Sequence, residues 1–421
     1  MRREPIPAAP GRPLVRAGAA CAPYAAFAAF GIFWGAWGAA LPALRTQAGV
    51  GDGQLGTALL FVGLGALPTM ALTGRVVDRW GLRVASWLLA ALAGAGLLIT
   101  AGGDGMVLLV VGMLVVGAAS GAADVAINSL AGRAEHATAK PLLTRSHGLF
   151  SAGVVVASLL TGALLGAGLS LVAAFAGVAV VMCALAVTVL RTSASLQLSA
   201  GPGEVGSRQG HRAPGSGAAA VPRGTHGLTG LLRRIGPTFP LFVVGLVAAL
   251  GYAIENAHQS WGAVMLTDGF AASPQLAAAA PAAFAATAAL ARLSLAPLSL
   301  SHPTAVLVCG GALATAGTAV LATAPSVAVA LVGLVLAALG TATLFPTLLS
   351  RSLRDTDPAQ HGRATSTVAS TAYLGFLLGP AYVGLLAERS DLRGAMLGVA
   401  ALGLVLTLAA APISAWAARR T

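Results

Sequence analysis

The chain has 421 residues, of which 57% are hydrophobic and 9% are charged. A water-soluble protein of this length needs a much larger share of charged residues to cover its surface, so the composition excludes a soluble globular protein. The formal net charge is +12, but the basic residues lie singly between apolar stretches rather than in a basic groove with interleaved aromatic residues. We therefore expect no nucleic-acid partner.

The apolar residues fall into runs of about twenty, the length at which a helix crosses the hydrocarbon core of a bilayer. The sequence therefore predicts an all-α membrane protein with twelve transmembrane helices. Most connections between the runs are short, so consecutive helices should be antiparallel neighbours. The predicted spans cover residues 19–41, 54–74, 84–101, 106–131, 147–167, 170–190, 239–262, 275–297, 304–323, 327–349, 367–387 and 394–416.

One long segment between spans 6 and 7 differs from the rest of the chain. It is rich in Gly, Ser, Pro, Arg and His, and such a composition cannot bury enough apolar surface to fold alone. A chain of two six-helix halves is typical of secondary transporters. The predicted organisation is a cytoplasmic tail at 1–18, a six-helix bundle at 19–191, a flexible cytoplasmic linker at 192–237 and a second six-helix bundle at 238–418.

The positions of the basic residues predict the orientation in the membrane. With the N-terminus in the cytoplasm, the cytoplasmic segments hold all 25 Lys and Arg residues except Arg45, Arg389 and Arg393. Basic residues concentrate on the cytoplasmic side of membrane proteins. We therefore expect a multi-pass protein of the cell membrane with both termini in the cytoplasm. This interpretation counts Arg292 as a residue of the loop between spans 8 and 9.

The loop between spans 2 and 3 contains the strongest local motif, GRVVDRWGLR. Gly74 permits close packing at the end of span 2, Asp78 can cap a helix or pair with a nearby Arg, and Gly81 permits a tight turn. Arg79 and Arg83 hold the loop at the cytoplasmic face. An ordinary basic turn would explain the charges alone, but this one joins two of twelve spans in a chain with a central linker.

This loop resembles the G-x-x-x-D-R-x-G-x-R signature of the major facilitator superfamily, in which it latches the cytoplasmic side of the outward-facing state. The segments FWGAWGAALPALR in span 1 and GFLLGP in span 11 are similar to those of bacterial inner-membrane permeases related to the fucose-permease group. The resemblance implies two pseudo-symmetric six-helix bundles around a cavity that opens alternately to each side. It does not indicate the solute.

Two acidic residues lie inside predicted spans, Asp124 in span 4 and Glu255 in span 7. A charged side chain is costly in lipid, so each should face the bundle interior or a water-filled cavity. Asn128 shares a helix face with Asp124 because it lies four residues later. A carboxylate shielded from water can take up a proton on one side and release it on the other, as proton coupling requires. Alternatively, each carboxylate only ties helices together through Asn, His or Arg partners.

The other candidates for the cavity lie in spans 1 and 7. His258 and Gln259 follow the carboxylate of span 7 by three and four residues and share its helix face, and Asn256 adds an amide beside it. Trp34 and Trp37 can stack on a flat solute or pack against a neighbouring helix, and the sequence does not separate these alternatives. Spans 1, 4, 7 and 10 are expected to line the cavity because corresponding helices of the repeats meet there.

These features predict a secondary active, proton-coupled transporter that moves a small polar or amphipathic solute, a sugar or metabolite, by alternating access. A proton-driven efflux pump for a drug or secondary metabolite is the first alternative, and a non-transporting receptor or scaffold is the second. The sequence has no Walker loop, HExxH motif or nucleophile elbow. We therefore expect no enzyme, no catalytic residue, no cofactor and no metal site. The expected partners are the bilayer, a solute and protons, and the chain is expected to be a monomer.

Overall fold

The computed structural model of the chain describes residues 13–102, 104–138, 140–199, 239–354, 356 and 360–418. Within these residues, twelve spans are long and apolar enough to cross a membrane, which confirms the predicted all-α fold. Spans 8 and 10 each consist of two consecutive helices. In chain order, the helices are Pro13–Ala48, Asp52–Trp80, Val84–Gly102, Met106–Thr138, Leu142–Gly166 and Leu171–Ser199 (spans 1 to 6), Phe239–Phe270 (span 7), Pro274–Ala277 and Ala279–Ser301 (span 8), Pro303–Thr323 (span 9), Val327–Thr341 and Leu344–Arg354 (span 10), His361–Arg389 (span 11) and Leu392–Ala418 (span 12).

Two helices extend past the predicted bundle boundaries. Span 1 begins at Pro13, inside the predicted tail, and span 6 ends at Ser199, inside the predicted linker. The extension of span 6 contains no Gly or Pro, so no residue there interrupts the helix. The predicted tail and linker otherwise fall on residues 1–12 and 200–237, which lie outside the described residues.

Arg292 does not lie in a loop, and that prediction was wrong. The helix Ala279–Ser301 continues for nine residues beyond it and includes Pro297. The Pro suggested an end to span 8, but in a membrane helix its lost backbone hydrogen bond is tolerated. Arg292 therefore lies within the helix of span 8 and not in a connecting loop.

The two six-span bundles share their main helix contacts. In the first bundle, span 1 packs against spans 4, 5 and 6, span 3 packs against spans 4 and 6, and span 2 packs against span 4. In the second bundle, span 7 packs against spans 10, 11 and 12, span 9 packs against spans 10 and 12, and span 8 packs against span 10. Each of these contacts in the first bundle has a counterpart between the helices six spans later in the second bundle, which confirms the predicted pseudo-symmetry.

Glycines bring the central helices of each bundle into backbone contact. A Cβ atom at Gly35 of span 1 would overlap the carbonyl oxygen of Val154 in span 5. In the second bundle, a Cβ at Gly375 would overlap the carbonyl oxygen of Ala249 in span 7. Small residues allow such close approach between membrane helices. The corresponding pairs, spans 1 and 5 and spans 7 and 11, are therefore packed in the same way.

The two bundles contact each other at the end of the molecule that holds Arg45, which we call the closed end. The helix pairs in contact across the interface are spans 2 and 11, 5 and 8, 1 and 7, and 1 and 8. A Cβ at Gly56 of span 2 would lie 2.8 Å from the Cα atom of Gly384 in span 11. Ser158 Oγ of span 5 donates a hydrogen bond of 2.8 Å to the carbonyl oxygen of Ala278 in span 8. This end is tightly sealed.

The opposite end holds the loop between spans 2 and 3, and we call it the open end. Glycines on spans 2, 4 and 5 lie there, at positions 74, 132 and 148. A Cβ atom at any of the three would meet no heavy atom within 4 Å. At the closed end, by contrast, Cβ atoms at Gly53, Gly56, Gly162 and Gly166 would lie within 3 Å of atoms in the other bundle, so among the described residues the close contacts between the bundles lie at that end.

Candidate solute and coupling site

A pocket lies between the two bundles, with walls from spans 1, 2, 4 and 11. Its lining is almost wholly apolar, with hydroxyl groups from one Ser and one Tyr. Spans 1 and 4 line it, as expected. Spans 7 and 10 were also expected but contribute no lining residue. Spans 2 and 11 line it instead, because they contact each other across the interface. The lining residues are Trp34, Val62, Gly63, Ala66, Leu67, Ser120, Tyr373, Phe376 and Leu377.

The two tryptophans of span 1 have different surroundings. Trp34 is half-buried and lines the pocket. Trp37 is only 4% exposed, and its ring stacks on Phe33 with the ring centroids 5.9 Å apart. Trp34 therefore borders the space between the bundles, and Trp37 packs inside the first bundle.

Asp124 lies on span 4, one helical turn from the pocket residue Ser120 on the side of the open end, and the two share a helix face. It is half-buried. The Nδ2 atom of Asn128 donates hydrogen bonds to Asp124 Oδ1 at 3.1 Å and to the Asp124 carbonyl oxygen at 2.9 Å. Within the described part of the chain, Asp124 takes part in no ion pair.

Glu255 lies on span 7 and forms an ion pair with Arg292 of span 8. Arg292 Nη2 donates to Glu255 Oε1 at 2.8 Å, and Gln259 Nε2 donates to the same oxygen at 3.1 Å. Arg292 Nε also donates to the carbonyl oxygen of Ala342 at 3.0 Å, where the two helices of span 10 meet. Arg292 thus joins spans 7, 8 and 10. Sequence reasoning missed this role, although its apolar flanks, AALARLSLA, indicated a position inside a span.

His258 is turned away from Glu255. It is 1% exposed, its Nδ1 atom lies 2.7 Å from the carbonyl oxygen of Ile254, and its Nε2 atom lies 3.1 Å from Thr318 Oγ1 in span 9. Its ring stacks on Phe284 of span 8. A residue three positions along a helix is rotated by about 60° from the first, which is enough to face a different neighbour. The structure therefore does not bring His258 to the carboxylate.

Asn256 faces span 11 at a proline kink. Pro380 has no backbone N–H, so the carbonyl oxygen of Phe376, four residues earlier, loses its usual helical donor. Asn256 Nδ2 donates to that oxygen at 2.5 Å, and Ser260 Oγ donates to Asn256 Oδ1 at 3.2 Å. The position of Asn256 is thus explained by a buried carbonyl group that needs a donor.

Four aromatic rings from spans 7, 10 and 11 form a cluster beside the pocket. Tyr252 stacks on Phe345 with a centroid distance of 4.7 Å. It meets the pocket residues Tyr373 and Phe376 edge to face at 6.2 and 6.4 Å. Sequence reasoning missed this cluster, although it contains two of the four Tyr residues of the chain.

The candidate charged groups share one region of the molecule. Asp124 of the first bundle lies one turn from the pocket residue Ser120, and Glu255 of the second, paired with Arg292, lies three residues from Tyr252, whose ring meets the pocket residues Tyr373 and Phe376. The two carboxylates therefore approach the same space from opposite bundles. One of them already has a cationic partner.

Relatives identify the family. An uncharacterized MFS-type transporter of Yersinia pestis is 30% identical over 371 residues, which are 88% of this chain and 88% of that protein. The chain belongs to the major facilitator superfamily. The sequence profile described as Major Facilitator Superfamily matches residues 241–420. The resemblance drawn from the sequence motifs is confirmed at the level of the superfamily.

Two solved structures show the fold that this MFS transporter shares. The nucleoside transporter NupG aligns with a TM-score of 0.70 at 17% identity and covers 95% of this chain and 98% of its own. A D-xylose-proton symporter aligns with a TM-score of 0.61 at 14% identity and covers 92% and 96%. Identities this low demonstrate the fold only.

The five motif residues of the transporter's loop between spans 2 and 3 lie at the open end. Gly81 has φ +77° and ends the helix of span 2, with its N–H donating to the Val77 carbonyl oxygen at 2.8 Å; this conformation favours Gly. Asp78 pairs with Arg133 of span 4 at 3.1 Å, and both side chains are exposed. Arg79 and Arg83 are exposed as well. In this conformation, the Asp78 pair stays within the first bundle.

Arg45 of the transporter lies at the closed end and joins the bundles. It forms ion pairs with Asp52 at the start of span 2 and with Asp268 at the end of span 7. Sequence reasoning left Arg45 as an exception to the charge asymmetry, and only the fold reveals its partners. Arg393, a second exception, donates to the carbonyl oxygens of Ala322 and Ala324.

Proposed function

We propose that this MFS transporter moves a small amphipathic or polar solute by alternating access and couples the movement to protons through Asp124 and Glu255. The observation that best supports this function is geometric: Asp124 lies one turn from the pocket residue Ser120, and Glu255 lies three residues from Tyr252, whose ring meets the pocket residues Tyr373 and Phe376. A solute and a proton bound at this pocket would both affect how the bundles meet. Coupling requires this link between binding and conformation.

The two carboxylates would respond differently to a proton. Glu255 is held by Arg292 at 2.8 Å, so protonation would weaken a bond between spans 7 and 8. Asp124 has an amide partner but no ionic one among the described residues, and a lone carboxylate becomes costly when water leaves the cavity. Protonation of Asp124 therefore favours closure of the cavity, and protonation of Glu255 favours rearrangement of the second bundle.

The orientation is part of the proposal. The open end holds Arg75, Arg79, Arg83 and Lys140, and basic residues concentrate on the cytoplasmic side. We therefore place the open end and both termini in the cytoplasm, with the chain acting as a monomer in the cell membrane. The conformation is then the inward-facing one.

Flux in proteoliposomes tests the coupling. The purified chain would be reconstituted with a pH-sensitive dye inside the vesicles and exposed to nucleosides, pentoses, hexoses and organic cations, with and without a pH gradient. We expect at least one solute to change the internal pH and expect both Asp124→Asn and Glu255→Gln to reduce this change relative to solute flux. Asp104→Asn is the matched control because Asp104 is an exposed loop residue. Unaltered proton coupling in both cavity variants would remove these carboxylates from the mechanism.

The apolar lining of the pocket favours one alternative, proton-driven efflux of a drug or secondary metabolite. A sugar needs many hydrogen-bonding groups, whereas the pocket surface is almost wholly apolar and the Ser120 hydroxyl already donates to the Gly117 carbonyl oxygen at 3.2 Å. Efflux predicts that deletion of the gene raises sensitivity to a toxic amphipathic compound without impairing growth on nutrients. Absence of flux for every solute would instead favour a receptor or scaffold.

A further inference from the structure

The charges that face the space between the bundles do not balance. Glu255 and Arg292 form an ion pair at 2.8 Å and together contribute no net charge. Asp124 receives a hydrogen bond from the neutral amide of Asn128 and, within the described residues, has no ionic partner. With all three groups ionised, they carry one net negative charge, which resides on Asp124.

The aromatic wall of the pocket near Asp124 is suited to a positive charge on an apolar body; the pocket has a volume of about 40 Å³ in this conformation, so it must widen to admit one. The rings of Trp34, Tyr373 and Phe376 line it, and the negative face of an aromatic ring attracts cations. Asp124 does not itself line the pocket, but it lies one turn from the lining residue Ser120 on the same helix face. A molecule with its apolar part between the rings could therefore reach the carboxylate with a charged group.

We infer that the solute is an amphipathic organic cation, such as a substituted ammonium compound, whose charged group occupies the place of the proton at Asp124. This inference rests on the proposed function, because it concerns the same cavity. The step balances: as the cation binds, the Asp124 carboxylic acid releases one proton to water and becomes a carboxylate, so Asp124 with its occupant is electrically neutral before and after. Cation and proton therefore exclude each other, and their exchange drives antiport.

Other charged groups near Asp124 leave this balance unchanged. The ring of Tyr252 of span 7 meets that of the pocket residue Tyr373 of span 11, and a phenol adds no charge; the ring of His147 of span 5 packs edge to face on Phe27 of span 1. On the helices packed against Asp124, the nearest described ion pair is that of Asp78 with Arg133, nine residues further along span 4. An anionic solute is disfavoured because it would have to displace Glu255 from Arg292 next to a second carboxylate.

Binding of matched probes tests the inference without transport. Three compounds of similar shape differ in charge: 3-hydroxyphenyltrimethylammonium, 3-tert-butylphenol and 3-hydroxybenzenesulfonate. Titration calorimetry on the full chain in detergent, in two buffers with different heats of ionisation, measures affinity and the number of protons released. We expect the cation to bind at least about tenfold more tightly than the neutral compound and to release up to one proton.

Variants of Asp124 identify the site. Asp124→Asn should reduce the affinity for the ammonium probe to that for 3-tert-butylphenol and abolish proton release. Asp124→Glu should retain both properties, which shows that the position tolerates substitution, and Asp104→Asn should behave as the unaltered chain. Preference for the sulfonate, equal binding of the cation and the neutral compound, or unchanged proton release in Asp124→Asn would overturn the inference.

This experiment separates the inference from the proposed function. Proton-coupled flux of a neutral or anionic solute, with no preference for the ammonium probe, would retain the function and reject the cation. Binding of the cation with proton release, but without flux in proteoliposomes, would retain the site and reject coupled transport.

Discussion

Arg45 at the end of span 1 donates a hydrogen bond of 2.8 Å from Nη2 to Oδ1 of Asp268 at the end of span 7. The same guanidinium also pairs with Asp52 of its own bundle. The two helices occupy equivalent positions in the two repeats, so this pair joins the bundles on their pseudo-symmetry axis. Opening of the closed end must break it.

We predict that Arg45→Gln shifts the population toward a conformation that is open at the closed end. A partly exposed ion pair contributes up to about 1 kcal/mol, which corresponds to a several-fold change in population. Distances between spin labels at Thr46 and Ser273, exposed residues on opposite bundles, would measure the shift after replacement of the native cysteines.

Arg393→Gln is the matched control for that experiment. Arg393 contacts Ala322, Ala324 and Phe270, all in the second bundle. Its replacement should leave the distance distribution between the bundles unchanged. An unchanged distribution in Arg45→Gln as well would show that the ion pair does not hold the closed end.

Gly56→Ala should impair closure of that end. The added Cβ would lie 2.8 Å from the Cα atom of Gly384, so spans 2 and 11 must separate. Where space allows, replacing a helical Gly by Ala stabilises the helix by about 1 kcal/mol. Gly94→Ala in span 3 is the control, because a Cβ there meets no atom within 4 Å. We expect slower flux and a longer label distance in Gly56→Ala alone; equal flux in both variants would contradict the packing argument.

Asn256→Ala should destabilise the second bundle through the kink in span 11. It leaves the Phe376 carbonyl without its donor, and an unsatisfied buried acceptor costs about 1–3 kcal/mol. Pro380→Ala restores a backbone N–H four residues after Phe376, so Asn256→Ala should cost less in that background. Thermal unfolding of the four variants in detergent gives the coupling free energy, and a value of zero would show that the amide does not compensate the proline.

Replacing Arg292 alone should lower the free energy of unfolding more than replacing both Arg292 and Glu255. In Arg292→Gln, Glu255, whose side chain is 13% exposed, keeps its charge without a cation. Because the Arg292 side chain is 45% exposed, we expect a loss of about 1–3 kcal/mol, less than for a fully buried pair. Unfolding of Arg292→Gln, Glu255→Gln and the double variant would measure this, and additive effects would mean that the two groups do not interact.

Sequence reasoning determined the parts of the fold that depend on local composition. A run of about twenty apolar residues forms a spanning helix whatever its neighbours are, and so all twelve spans were predicted correctly. The motif of the loop between spans 2 and 3 was recognisable because the backbone conformation at Gly81 favours glycine. The family followed from the motif together with the spans.

Only the tertiary structure decided which side of each helix faces the cavity. Trp34 and Trp37 are three residues apart, yet Trp34 lines the pocket and Trp37 packs in the core; Glu255 and His258 are also three residues apart, yet Glu255 pairs with Arg292 of span 8 and His258 contacts Thr318 of span 9. Partner helices make this choice, and they come from distant parts of the chain. Arg45 and Asp268 are 223 residues apart, so their bond exists only because two repeats fold and meet; no local pattern records it.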